Sequence, residues 1–156
     1  YNSRVIFSLR FNNIEVGEIG TDAAIAGHYG VPVIFVTGDT AACNEARDLL
    51  GNIETVSVKE GFGRYVAKCR SPDEARRLIH DEARRSLSLV GRVQPFTFKP
   101  PVKAEVIFID PSHADAVAYL PFIERVDGCM VRFESDDFLK AFETFDALYR
   151  VAASYQ

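Results

Sequence analysis

Cysteine is scarce and unpatterned in this chain: Cys43, Cys69 and Cys129 are the three in 156 residues, and none forms a CxxC spacing. Three widely separated thiols make neither a disulfide framework nor a zinc knuckle, so they read as reduced thiols packed mostly in a core. Long apolar runs are missing as well. A membrane-spanning helix needs about 20 such residues, whereas the longest block, VPVIFV, has the length of a buried strand. Excess positive charge is also absent, with 18 Lys and Arg against 22 Asp and Glu and a net charge of −4. Basic residues are scattered except in EARRLIHDEARR. A nucleic-acid surface requires a basic face, so that class of partner is excluded. The common catalytic signatures are missing too: there is no GxGxxG after a strand, no GxxxxGK, no HExxH and no GxSxG. Finally, no Met opens the chain. It starts on YNSRVIFSLRF, which alternates like a strand and carries no charged leader, so a piece of a longer protein is the expectation.

Hydrophobic residues make up 47% and charged residues 26%, the balance of a globular protein of one ordinary domain or two small ones sharing a core. Val5, Phe7, Leu9 and Phe11 alternate with Ile6, Ser8 and Arg10, the period of a strand. Asn12-Asn13 predicts a tight hairpin turn into the partner strand IEV. Thr21 to His28 reads as a short Ala-rich helix. VPVIFVTG reads as a strand covered on both faces. Asp39 then caps a helix whose stripe is Ala42, Cys43, Ala46, Leu49 and Leu50, and IETVSV returns as a strand. That order predicts a right-handed parallel βαβ unit.

After about residue 58 the texture changes. KEGFGR reads as a loop and YVAKC as a strand. Ser71-Pro72-Asp73-Glu74 is a strong helix start, with Ser as cap, Pro in the first turn and Glu three residues on. AEVIFID, IERVDG and CMVRFES read as strands, with a short helix from Asp110-Pro111 to near Leu120. Ser135 with Asp136 and Asp137 caps a last helix with a wide face of Phe138, Ala141, Phe142, Phe145, Leu148 and Tyr149. The expected class is α/β: residues 1–58 as the remainder of a mostly parallel three-layer domain, and 59–156 as a smaller α+β domain of antiparallel strands and helices.

Few residues stand out as chemical. TGDT follows a strand and opens a helix, the place where α/β proteins hold ligands, but Asp39 serves equally as a helix cap worth about 1 kcal/mol. Lys59 and Arg64 flank the glycines of KEGFGR and suit an anion or merely a charged surface loop. His28, His80 and His113 lack a second His, Cys or carboxylate at ligand spacing, so each reads as structural. Glu18 is the suspicious carboxylate. Set between Gly17 and Gly20, after a strand and before a helix, it satisfies free helix amides or binds something, and the local pattern leaves both open.

The stretch NNIEVGEIGTDAAIAGHYGVPVIFVTGDTAACNEA resembles the D-aminopeptidase family, zinc peptidases also described as dipeptide transport protein A. The likeness runs on through VKEGFGRYVAKCRSPDEARRLI and ERVDGCMVRFESDDFLKAF, in register over nearly the whole chain. Members of that family are longer. Their N-terminal part carries an Asp-x-Glu pair and two histidines that, with the Glu of the GEIG-type stretch, bind two zinc ions. The resemblance therefore implies that Glu18 is a metal ligand, that the cofactor is a pair of zinc ions, and that the substrate is a short peptide with an N-terminal D-residue. It places the other ligands and the catalytic His upstream of Tyr1, so the chain alone should be inactive and its first partner is the N-terminal segment of the same protein. It further implies a ring-shaped homo-oligomer in the cytoplasm. Two other readings stand beside it: a non-catalytic α/β binding or assembly module, and a small-ligand binder acting through Asp39.

Overall fold

A computed structural model describes residues 2–155, which divide into two compact units. The first joins residues 1–25 to 97–156, and the second is the intervening 26–96.

The first unit is built on a five-stranded sheet. β1 (Ile6–Phe11) turns through Asn12 and Asn13 into the short β2 (Ile14–Glu15), and both asparagines take positive φ, 50° and 67°. Asn is among the few non-glycine residues that tolerate that region, so the predicted turn forms where expected. The sheet continues with β6 (Val102–Phe108), β7 (Glu124–Arg125) and β8 (Met130–Ser135) in the spatial order β2-β1-β6-β8-β7. Every pairing in it is antiparallel. α4 (Pro111–Val117) and α5 (Phe138–Ser154) pack against β6, and α5 against β8 as well. Leu9, Phe11, Ala104, Val106, Val131 and Phe133 are buried in the sheet, and Phe138, Ala141, Phe145 and Leu148 on α5. Phe11, Phe98 and Phe138 form a ring trio with centroids 5.3–5.5 Å apart. Offset and edge contacts of this kind add about 0.5–1.5 kcal/mol per pair beyond burial.

One residue of the β1 alternation is turned the wrong way. Phe7 is 73% exposed, while Ser8 is only 6% exposed. The register against β6 shifts between Ile6 and Ser8, leaving Phe7 opposite no partner. A bulge of this kind adds one residue and so reverses the in-out pattern on one side of it.

The other residues of these strands carry charge in a row that crosses the whole sheet. In register, Glu15 faces Arg10, Arg10 faces Glu105, Glu105 faces Arg132, and Arg132 faces Glu124. The sign alternates at every step. Arg132 holds Glu124 with two bonds, from Nε and Nη2, each 2.7 Å, and Arg10 reaches Glu15 at 3.4 Å. The Arg132 guanidinium lowers the pKa of the Glu124 carboxyl, and that carboxylate raises the pKa of Arg132.

α1 (Glu18–His28) spans the boundary between the two units. It begins three residues earlier than its Ala-rich core suggests. The second unit holds β3 (Phe35–Asp39), α2 (Thr40–Leu50), β4 (Glu54–Gly63), β5 (Val66–Cys69) and α3 (Pro72–Ser86), followed by a single 3-10 turn at Leu87–Leu89. β3 and β4 run parallel with α2 between them, as the strand–helix–strand spacing predicted, and β5 returns antiparallel to β4. Asp39 caps α2 through Ala42 N at 2.8 Å, and Ser71 caps α3 through Glu74 N at 3.3 Å.

Three expectations need correction. The fold is mixed α/β as anticipated, but its larger sheet is antiparallel, and β3–β4 is the one parallel pair among the described residues. Parallel neighbours need a crossover, and here the α2 crossover alone joins adjacent strands. KEGFGR is not a loop: β4 continues through Gly63. The thiols are not mostly core either. Cys43 is buried, Cys129 is partly buried and Cys69 is exposed on β5, the outer strand of a hairpin whose residues 61–70 all face solvent.

Candidate functional site

Glu18 opens α1, where the chain leaves β2 through Val16 and Gly17. Val16 N donates to Leu9 O at 2.9 Å, which pins the end of the hairpin to β1. Thr21 secures the first helical turn: its hydroxyl donates to Glu18 O at 3.0 Å and reaches Gly17 O at 3.3 Å, and its amide donates to Gly17 O at 3.1 Å. Glu18 is exposed in the first turn of α1, where the positive end of the helix dipole favours a carboxylate.

Beside it lies a cavity of about 350 Å³. Glu18, Thr21 and Asp22 line it from α1, and Phe142, Asp146 and Tyr149 from α5. Asp22 stands one helical turn beyond Glu18, and the α5 residues follow i, i+4, i+7 spacing. Asp146 is matched by Arg150 Nε at 2.7 Å, which raises the pKa of the guanidinium. The cavity thus joins carboxylates to an aromatic wall, a lining that suits a cationic or amine-bearing group.

A catalytic zinc requires about three protein ligands and an open position. Among the described residues no group of three or more His, Cys, Asp or Glu could hold a metal. The histidines are dispersed. His28 sits in the last turn of α1 with its ring 5.2 Å from Tyr29, His80 lies against Asp81 at 3.3 Å, and His113 is 6.2 Å from Phe108 by ring centroids. Glu18 fits as a single oxygen ligand at an accessible helix start. The remainder of a zinc shell does not fit within these residues.

The other sequence candidates fall elsewhere. Asp39 caps α2, the structural role that its place ahead of that helix suggested. Lys59 lies on β4, and Arg64 stacks its guanidinium 5.9 Å from the Tyr65 ring. Sequence reading missed Asp22 and Asp146 as neighbours of Glu18. The i+4 spacing of Asp22 was the available signal, whereas Asp146 arrives from a helix 120 residues later and left none.

Residues 1–147 match the D-aminopeptidase peptidase family. The chain belongs to that family. It is 32% identical over 152 residues to a D-aminopeptidase of Bacillus subtilis, which covers 95% of this chain and 56% of that relative. It is similar in structure to the Zn-dependent D-aminopeptidase DppA from Bacillus subtilis, described as a self-compartmentalizing protease. The TM-score is 0.92 at 30% identity, covering 96% of this chain and 55% of that one. The family member described here therefore spans about half the length of these relatives. No helix among its described residues is long and apolar enough to cross a membrane.

Proposed function

We propose that this chain forms part of a zinc-dependent D-aminopeptidase that removes N-terminal D-residues from short peptides, with Glu18 as one of the metal ligands. The observation that carries this reading is the family match over residues 1–147 together with the 0.92 TM-score to a Zn-dependent member. Glu18 would hold zinc through its carboxylate, and the remaining ligands and the catalytic His would come from residues outside this chain. A pair of zinc ions, when bound, would lower the pKa of a bound water and polarise the scissile carbonyl. The chain's own contribution is positional. Thr21 fixes the first turn of α1 on which Glu18 stands, and Gly17 lets the backbone bend there.

The longer protein is also supported by β3. The run VPVIFV, residues 31–36, has the composition of a central parallel strand. Yet only its last two residues enter β3, β3 is an edge of its sheet, and no residue of the run is buried, where cover on both faces was expected. An N-terminal segment of the same protein, extending the sheet past β3 into a mostly parallel three-layer domain, accounts for that composition. Assembly into a ring-shaped homo-oligomer of a cytoplasmic enzyme belongs to the same proposal, supported by the self-compartmentalizing description of the similar protein.

The test is metal content and turnover of the longer protein carrying Glu18→Gln, a change that keeps size and removes charge. Zinc affinity should fall by more than the roughly 10–100-fold that loss of an outer-shell partner costs, and hydrolysis of a D-aminoacyl anilide should fall with it. Full zinc occupancy and full turnover in that variant would leave Glu18 a helix-start residue only.

A further inference from the structure

The cavity beside Glu18 has two unlike walls. On α1, Glu18 and Asp22 stand one helical turn apart, which sets their Cβ atoms about 5–6 Å from each other. On α5, Phe142, Phe145 and Tyr149 follow i, i+3, i+7 spacing and form a ladder of rings. Their successive centroids are 6.2 Å and 6.5 Å apart, and the planes of Phe145 and Tyr149 are inclined by only 26°. Phe145 is buried, whereas Phe142 and Tyr149 are half-buried and leave apolar ring surface facing the space.

The three carboxylates of the lining are not equivalent. Asp146 is committed to Arg150. Glu18 is the metal ligand of the proposed peptidase. Asp22 is exposed and has no hydrogen-bond or ion-pair partner among the described residues. It lies beyond the first turn of α1, where the field of the positive helix end has fallen off, so its charge is open to a cation.

Size narrows the occupant. The volume of about 350 Å³ is near the bottom of the range of roughly 300–1,000 Å³ for ligand clefts, so the space takes about one amino-acid residue rather than a length of chain. An unpaired carboxylate on one wall and ring faces on the other suit a residue that carries both a free amine and an apolar side chain.

We infer that this cavity receives the first residue of the peptide, with its free ammonium at Asp22 and its side chain against Phe142 and Tyr149. The inference rests on the peptidase reading, which puts the scissile carbonyl towards Glu18. The ammonium nitrogen and the carbonyl carbon of one residue are two bonds, about 2.5 Å, apart. A residue lying along α1 therefore presents both groups to carboxylates one turn apart. With those two points fixed on one helix, the side chain of one hand turns towards α5 and that of the other hand turns away. The rings of α5 thus supply the third contact, without which the two hands bind alike. Phe142 and Tyr149 are specificity-determining residues in this arrangement, and Asp22 recognises the amine.

The test uses the longer protein and compares kcat/KM for D-phenylalanyl, D-alanyl and L-phenylalanyl anilides. Phe142→Leu and Tyr149→Leu should each lower the preference for D-phenylalanyl over D-alanyl about three- to tenfold, the worth of one ring contact, and narrow the preference for D over L. A readout independent of turnover is titration in chelator with D-phenylalaninamide, following the backbone amide resonances of α5. Saturable shifts at Phe142 and Tyr149 are expected. Asp22→Asn should weaken that binding about tenfold, the loss of one charge-assisted contact, and leave binding of the 2-hydroxy counterpart unchanged because it carries no ammonium. Zinc content and melting temperature should match wild type in all three variants. Loss of zinc in Asp22→Asn makes that residue part of the metal centre and overturns its role here. Unchanged selectivity in both leucine variants, or equal weakening of the amine and hydroxy ligands by Asp22→Asn, overturns the inference alone. A wild-type protein that holds zinc and hydrolyses none of the D-anilides ends the peptidase reading, and the inference with it.

Discussion

Asn12 and Lys103 bind each other twice. Asn12 N donates to Lys103 O at 2.8 Å, and Lys103 N donates to Asn12 Oδ1 at 2.7 Å, while Asn12 Nδ2 donates to Lys99 O at 2.8 Å. One turn residue at positive φ thus ties the β1–β2 hairpin to the entry of β6, 91 residues away in sequence. Asn12→Ala removes both side-chain bonds and places a non-glycine, non-Asn residue in the left-handed region. It should cost about 2–3 kcal/mol in urea unfolding. Asn12→Gly relieves the backbone and keeps the bond losses, so it should fall between wild type and Asn12→Ala.

Gly27 admits no side chain. A Cβ there would lie 1.8 Å from Phe96 O. Gly27→Ala should lower the melting temperature by an amount matching more than about 2 kcal/mol, since backbone rather than a movable side chain stands in the way. Calorimetry of the variant checks this, and Gly30→Ala serves as a contrast with open space but positive φ.

Asp39 separates capping from binding. Asp39→Ala should cost about 1 kcal/mol by losing the 2.8 Å contact to Ala42 N, and Asp39→Asn should cost little because Asn caps equally well. Thermal unfolding of both variants decides it. Equal losses in the two would point to a role for the charge beyond the cap.

Two carboxylates make stability fall in acid. Asp110 has its pKa lowered by the Ser112 hydroxyl and then by the Ser112 amide, and Glu124 by Arg132. A folded-state pKa below the unfolded value gives stability that is present above the unfolded pKa and lost as pH falls through the folded one. The loss should therefore set in below about pH 4. Both groups are solvent-exposed, so the effect should shrink in high salt. Melting curves of wild type and Glu124→Gln from neutral pH downward test this, with the variant showing the shallower acid slope.

Much of this fold was legible in the residues. Asn12-Asn13, Ser71-Pro72 and Asp39 announce a turn and two helix starts through local backbone chemistry, and each stands where expected. The alternation of Val5, Phe7, Leu9 and Phe11 marks a strand but not the outward turn of Phe7, because that bulge is set by pairing with β6, a strand almost 100 residues later. KEGFGR was misread because its glycines suggest a loop, while pairing with β5 holds it extended. The neighbours of Glu18 on α5 were invisible for the same reason: they depend on tertiary packing and carry no local mark. Glu18 itself stood out by its flanking glycines, although these alone did not separate helix start from ligand.

The alternating charges across the five-stranded sheet also act as an address. Hydrophobic alternation forbids a slip of one residue between strands, because every side chain would change face, but it is blind to a slip of two. Here Lys103, Glu105 and Ile107 of β6 face Glu134, Arg132 and Met130 of β8. Sliding β8 by two in one direction sets Glu105 against Glu134, and in the other sets Lys103 against Arg132. Either error places like charges opposite one another, where they repel. The row that adds little to stability in the correct register thereby rejects the wrong ones that the core alone would accept.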